Sequence, residues 1–152
     1  MRWDALLPRL RHELAYRHPP NAVVLHLGEN DLVIRKSIIL IKTAIADLES
    51  VHATHPNIPI FWSELLPRLH WRGNIKPTRL NYTVEKINRA VRSATTHMGG
   101  RVVKHPNIKV YMKELFRPNG VHLSDLGNER WLSDIRHGLI DWLEDGKGAF
   151  QM

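Results

Sequence analysis

The feature that most constrains this chain is a join that recurs three times. His18-Pro19-Pro20-Asn21 precedes the apolar run from Ala22 to Leu27, His55-Pro56-Asn57 precedes Ile58 to Trp62, and His105-Pro106-Asn107 precedes Ile108 to Tyr111. Proline fixes φ, lacks an amide proton and biases its predecessor toward extended backbone, while asparagine favours turns. A short run rich in Val or Ile after such punctuation reads as a strand. The joins therefore predict three strands, with Val102-Val103 as a brief extended piece before the third join.

Helical spacing fills the intervals. Trp3, Leu6, Leu7, Leu10 and Leu14 form the first apolar stripe, with Pro8 either in the first turn of a helix or kinking a longer one. A second helix is expected over Lys36 to Val51, with Ile38, Ile41, Ile45 and Leu48 on one face. A third covers Thr78 to Met98, with Ile87, Val91, Ala94 and Met98 aligned. The last covers Leu126 to Leu143 on Trp131, Ile135, Leu139 and Trp142, with Ser124 or Asp125 as its cap. Short strands alternating with helices specify an α/β fold, a parallel sheet with helices on both faces. One domain over 1–144 and a flexible tail over 145–152 account for the 152 residues. Three strands are few for such a sheet, and the first would leave an open edge. A partner strand, a second copy or a chain that starts late would each explain it.

Other classes are narrowed by what the sequence lacks. Without cysteine there is no disulfide, thiolate metal site or cysteine nucleophile. Asp4, Arg9 and Arg11 interrupt the start, which does not read as a signal peptide, and apolar runs such as Ile38 to Ile41 are too short to span a bilayer. A cytoplasmic protein with no membrane partner is the expectation. The net charge of +7 raises nucleic-acid binding, but the basic residues are scattered among acids. The densest group, Arg68, Arg72, Lys76 and Arg79, has only Trp71 as an aromatic platform. His52 and His55 lack a third ligand, Gly99-Gly100-Arg101 lacks the lysine and hydroxyl of a phosphate loop, and no carboxylates pair. No metal or other cofactor is expected.

Two segments can carry chemistry. Leu27-Gly28-Glu29-Asn30-Asp31 directly follows the first strand, where a glycine permits a sharp turn and an asparagine amide can donate to a developing oxyanion; it also reads as a turn that caps the next helix. Asn119-Gly120-Val121-His122 precedes the last helix, where a loop histidine can act as a base; it also reads as one structural histidine among ten.

Taken together and in this order, Gly28-Glu29-Asn30-Asp31 resembles the Gly-x-Asn-Asp block of the SGNH (GDSL-like) hydrolases, and Asn119-Gly120-Val121-His122 resembles their Asp-x-x-His block, over Trp3 to Leu143. The resemblance implies a three-layer flavodoxin-like fold and hydrolysis of a small acyl ester by a serine nucleophile, without cofactor. It places Gly28 and Asn30 at the oxyanion site, His122 as general base and Asn119 at the acid's position. Two departures follow. No Gly-Asp-Ser occurs, so on this resemblance the chain is N-terminally truncated, its sheet incomplete on that side. Asn119 also has no charge to stabilise an imidazolium. Ser124 is too close to His122 and Ser37 belongs to a helix. Ser63, ending the second strand, is the best placed of the rest, and no nucleophile is identified. Leu69, Trp71 and Arg72 are expected in the loop over the pocket. The sequence thus describes an esterase-like pseudoenzyme with weak or no activity. Two alternatives are a hydrolase completed by upstream sequence or a partner, and a basic nucleic-acid-associated module.

Overall fold

The structure, a computed structural model, describes residues 1–16 and 18–150, with the side chains of Tyr16 and of residues 146–150 excepted. A 3₁₀ turn at Trp3–Ala5 leads into α1 (Leu6–Tyr16), so Pro8 falls in the helix's first turn, where its missing amide proton costs nothing. β1 (Val23–Leu25), α2 (Ser37–Thr54), β2 (Ile60–Ser63), α3 (Pro77–His97), β3 (Arg101–Val103) and α4 (Asp125–Phe150) follow, with 3₁₀ turns at Glu29–Asp31 and Lys113–Leu115. The strands form a parallel sheet in the order β1-β2-β3, with Val23 opposite Ile60 and Ser63 opposite Val103. The first two predicted strands are present in shortened form.

The third is not where the joins put it. The strand is Arg101–Val103, the piece read as a brief extension, and Ile108 to Tyr111 is a turn in which Met112 N–H bonds to Lys109 O at 3.0 Å. Only Ile108 of that run is buried, whereas Lys109 and Tyr111 are exposed. A parallel strand needs apolar cover on both faces, which the run cannot supply.

Strand alternation sorts side chains between two faces. Val23, Leu25, Ile60 and Trp62 join one core with Trp3 and Leu6 and with the buried faces of α2 and α3. On α2 that face is Leu40, Ala44, Leu48 and Val51, so the expected stripe shifts and Ile38 is exposed. On the other face lies α4, where Trp142 meets Phe61 edge-on with centroids 5.6 Å apart and Gly138 sits against Val103. Helices on both sides of the sheet make the three-layer, flavodoxin-like α/β arrangement. Ser124 caps α4, its Oγ accepting from Gly127 N–H at 3.2 Å. Gly127 packs so closely on the Lys113–Leu115 turn that an added Cβ would collide with the Leu115 carbonyl oxygen. The expected boundary between 144 and 145 falls inside α4, and residues 151 and 152 lie outside the described residues. Among the described residues no helix is long and apolar enough to cross a membrane.

Candidate functional site

Gly28 ends the segment after β1 with φ of 133°, a conformation L side chains rarely adopt, and an added Cβ would lie 2.9 Å from Trp3 Nε1. The sharp bend it permits starts the 3₁₀ turn that leaves Asn30 exposed and buries Glu29 and Asp31 on either side. Asp31 is tied down by Trp3, whose N–H donates to Oδ2 at 3.2 Å.

Asn30 faces a cavity of about 810 Å³ that also holds Arg68, Arg72, Val121 and His122. A smaller cavity of about 250 Å³ continues inward from Asn30, Arg68 and His122 to His26 and Glu29. Two loops thus bring Asn30 and His122 to one cavity, with Gly28 at the start of the turn that carries Asn30 and Asn119 in contact with His122. Leu69 and His70 N–H groups bond to Gly120 O at 2.9 and 3.0 Å, fastening the segment after β2 to the loop that carries His122.

The orientation of two amides is fixed. Arg68 Nη2 donates to Asn30 Oδ1 at 3.1 Å, which leaves the Asn30 amino group as a free donor at the cavity. Asn119 Oδ1 accepts from the backbone N–H groups of Val121 and His122 at 2.9 and 3.0 Å, so its Nδ2 is the atom 2.9 Å from His122 Nδ1. An amide nitrogen only donates. Neutral His122 therefore accepts at Nδ1 and carries its proton on Nε2.

Of the residues expected over the pocket, Arg72 lines the larger cavity. Trp71 is instead buried behind it, donating Nε1–H to Asn81 Oδ1 at 3.0 Å and backing the Arg68 guanidinium at 4.9 Å. Leu69 packs on the cluster of Leu66, Ile108, Leu115 and Phe116.

Sequence reasoning missed a buried polar chain across the sheet's end. His26 Nε2 lies 2.9 Å from Glu29 Oε1, His26 Nδ1 is 2.8 Å from Ser63 Oγ, Ser63 Oγ is 2.7 Å from His105 Nε2, and His105 Nδ1 is 2.9 Å from Asp134 Oδ2. Trp131 covers both imidazoles, edge-on to His26 and stacked on His105. The signal was positional: His26 follows β1, Ser63 ends β2 and His105 follows β3, so parallel pairing aligns them.

Hydrogen-bond accounting fixes this chain's proton content. Both carboxylates accept, so His26 Nε2 and His105 Nδ1 each carry a proton. The Ser63 hydroxyl donates to one ring, and the bond to the other ring needs that ring's proton. Three ring protons on two imidazoles mean that one is an imidazolium. Burial opposes charge on His26, but Glu29, through its charge and its hydrogen bond, raises the His26 pKa above its ordinary value. Burial and the neighbouring His26 lower that of His105, against Asp134. These opposite directions favour the charge on His26 over His105. Burial also works against the Glu29 carboxylate, but His26 and the Leu66 N–H hold its pKa at about 2.

Ser63, His105 and Asp134 have the order of a hydrolytic triad, but Ser63 is fully buried. The amides that follow are engaged: Glu64 N–H bonds to Val103 O, Leu65 N–H to Asn88 Oδ1 and Leu66 N–H to Glu29 Oε1. An acyl intermediate there would have no donors from these amides. Among the described residues no cluster of three or more His, Asp or Glu is arranged to hold a metal ion.

No family model matches the sequence, and no curated protein matches it by sequence. Solved structures do match. The esterase EstA from Pseudoalteromonas sp. superposes with a TM-score of 0.69 at 16% identity, over 95% of this chain and 74% of that one. A GDSL-like lipase from Bacteroides thetaiotaomicron gives 0.67 at 14% identity, over 96% and 72%. The esterase domain of the ORF1 protein from the zebrafish ZfL2-1 retrotransposon gives 0.54 at 29% identity, over 91% and 82%. The chain thus has the α/β fold of the SGNH, GDSL-like hydrolases that its two motifs resemble.

Proposed function

We propose that this chain is an SGNH-type esterase-like domain whose pocket takes a small acyl ester and turns it over weakly or not at all. The observation that carries the reading is the meeting of Asn30 and His122 in one cavity. In it the free amino group of Asn30, with Gly28 shaping the turn, is the donor for an ester or oxyanion oxygen, and His122 is the base. Two features support weak turnover. The sequence contains no Gly-Asp-Ser, and Asn119 selects the His122 tautomer whose Nε2 carries a proton and cannot accept one. In serine proteases the corresponding exchange of acid for amide costs about 10⁴-fold in turnover.

The test is a fluorophosphonate probe on the folded protein, with adducts located by mass spectrometry and His122→Ala as control. No adduct is expected. An adduct on one serine that disappears in the control would overturn the reading of weak activity. It would then favour an active hydrolase, and labelling only after an upstream segment is added would favour completion by that segment. The order β1-β2-β3 leaves one edge of β1 unpaired within the described sheet, where such a segment or a second copy would add a strand.

A second reading is favoured by the 29% identity to a retrotransposon-borne esterase domain together with the charge of +7: the chain is the esterase-like part of a larger, cytoplasmic nucleic-acid-associated product. It requires binding to nucleic acid that weakens steeply with salt. Binding that is absent at low salt removes it.

A further inference from the structure

The cavity beside Asn30 carries a charge pattern that a neutral ester does not need. Arg2, Arg68 and Arg72 line it together with His122, and among the described residues no carboxylate does. Glu29 reaches only the smaller, inner cavity, where His26 and the Leu66 N–H occupy its Oε1. Asp31 is buried and bonded to the Trp3 N–H. None of the three guanidiniums has a carboxylate within ion-pair distance among the described residues. Arg68 is also held in place, with Nη2 on Asn30 and its guanidinium over the Trp71 ring, so it is presented with little remaining freedom. Burial disfavours the Arg68 cation most; the pull of Glu29 opposes it, and the charge of Arg72 adds a smaller repulsion. An incoming anion relieves that repulsion, and a guanidinium fork suits a carboxylate or phosphate. Val33, Ile34 and Val121 supply an apolar wall for an acyl chain.

We infer that the pocket selects esters bearing an anionic group, a carboxylate or a phosphate, with the ester oxygen at Asn30 and the anion against Arg68 and Arg72. This rests on the ester-pocket reading and specifies its substrate class. The volume of about 810 Å³ accommodates a small ester with a charged end.

Affinity is measured by NMR titration of the intact chain, following the Asn30 side-chain amide and the His122 ring. The ligands are monoethyl succinate for a carboxylate, 2-acetoxyethyl phosphate for a phosphate, and ethyl butyrate as a neutral control. At least one charged ester is expected to bind about 10-fold more tightly than ethyl butyrate, and which one identifies the anion. The advantage is expected to fall several-fold in Arg72→Gln, which leaves Arg68 and Asn30 in contact, and to shrink at high salt. If all three esters bind alike, or if Arg72→Gln leaves the advantage intact, the inference is overturned while the ester pocket stands. If no ester moves Asn30 or His122, the ester-pocket reading falls and takes the inference with it.

Discussion

Removing the Ser63 hydroxyl is the sharpest perturbation of the buried chain. Ser63→Ala deletes two hydrogen bonds, of 2.8 Å to His26 and 2.7 Å to His105, at a position without solvent access. A neutral hydrogen bond contributes about 1 kcal/mol and one to a charged group about 1.5–3 kcal/mol, so the loss is about 2–4 kcal/mol. For a chain of this size that lowers Tm by roughly 5–15 °C. The pH dependence carries the stronger claim. The folded pKa of His26 lies above its unfolded value, so its contribution is complete below about pH 6.5 and lost as pH rises through the folded value. His105 is lowered and works oppositely, its contribution present above about pH 6.5 and lost as pH falls. Deprotonating His26 in the wild type also leaves a bare nitrogen against the Ser63 oxygen, a penalty that the alanine variant cannot suffer. Urea unfolding across about pH 6 to pH 9 should therefore show wild-type stability falling with pH, and Ser63→Ala starting lower and falling less steeply. Parallel curves would refute the proton count. So would ¹⁵N spectra showing both rings neutral at about pH 7 in the folded protein.

Other positions make plainer demands. Asn88 is buried and clamps Leu65 from both sides, accepting from its N–H at 2.8 Å and donating to its C=O at 3.0 Å, so Asn88→Ala should cost about 2–4 kcal/mol by urea unfolding. Gly127→Ala has no room at the Leu115 carbonyl and should cost at least about 1–3 kcal/mol despite alanine's better helix propensity, visible as a lowered Tm. Glu29→Gln removes the partner that raises the His26 pKa, so that pKa should fall in an NMR titration.

The sequence was most readable where local chemistry and tertiary context agreed. Proline-asparagine joins preceded β1 and β2, and all four helices appeared where apolar spacing put them. The same join at His105 misled because punctuation marks a break without saying which side is extended. Arg101–Val103 is only three residues long and its first two are half-buried, too little pattern for alternation to register. On α2, isoleucines dominate the sequence, but sheet geometry buries Leu40 and Ala44 instead. Asn30 and His122 were visible because each stands in a motif on a loop. Ser63 stood out only as a serine at a strand end, and its connection to His26, His105 and Asp134 was not visible, because four separate segments contribute one residue each and only strand pairing brings them together. The basic cavity was hidden for the same reason, since Arg2, Arg68 and Arg72 lie on two distant segments.

The acid position offers a direct test of how Asn119 holds the histidine. Its orientation is over-determined, with Oδ1 accepting two backbone N–H bonds while Nδ2 donates to His122 Nδ1. Asn119→Asp keeps the shape and can keep both backbone bonds on one oxygen, but the other oxygen becomes an acceptor. Nδ1 must then carry the proton, and the lone pair moves to Nε2, on the exposed ring at the cavity. Two-bond ¹H–¹⁵N correlations distinguish the tautomers directly, and the variant should switch from the Nε2–H to the Nδ1–H form. Because chemistry at a histidine needs an available lone pair, Nε2-selective acylation by diethyl pyrocarbonate should accelerate as well. With no Gly-Asp-Ser in the sequence, ester turnover is expected to change little, which separates the effect of the tautomer from that of the lacking motif. Finding Nδ1–H already dominant in the wild type would mean that the Asn119 amide does not set the ring's state, and the proposal of weak activity would then rest on the lack of Gly-Asp-Ser alone.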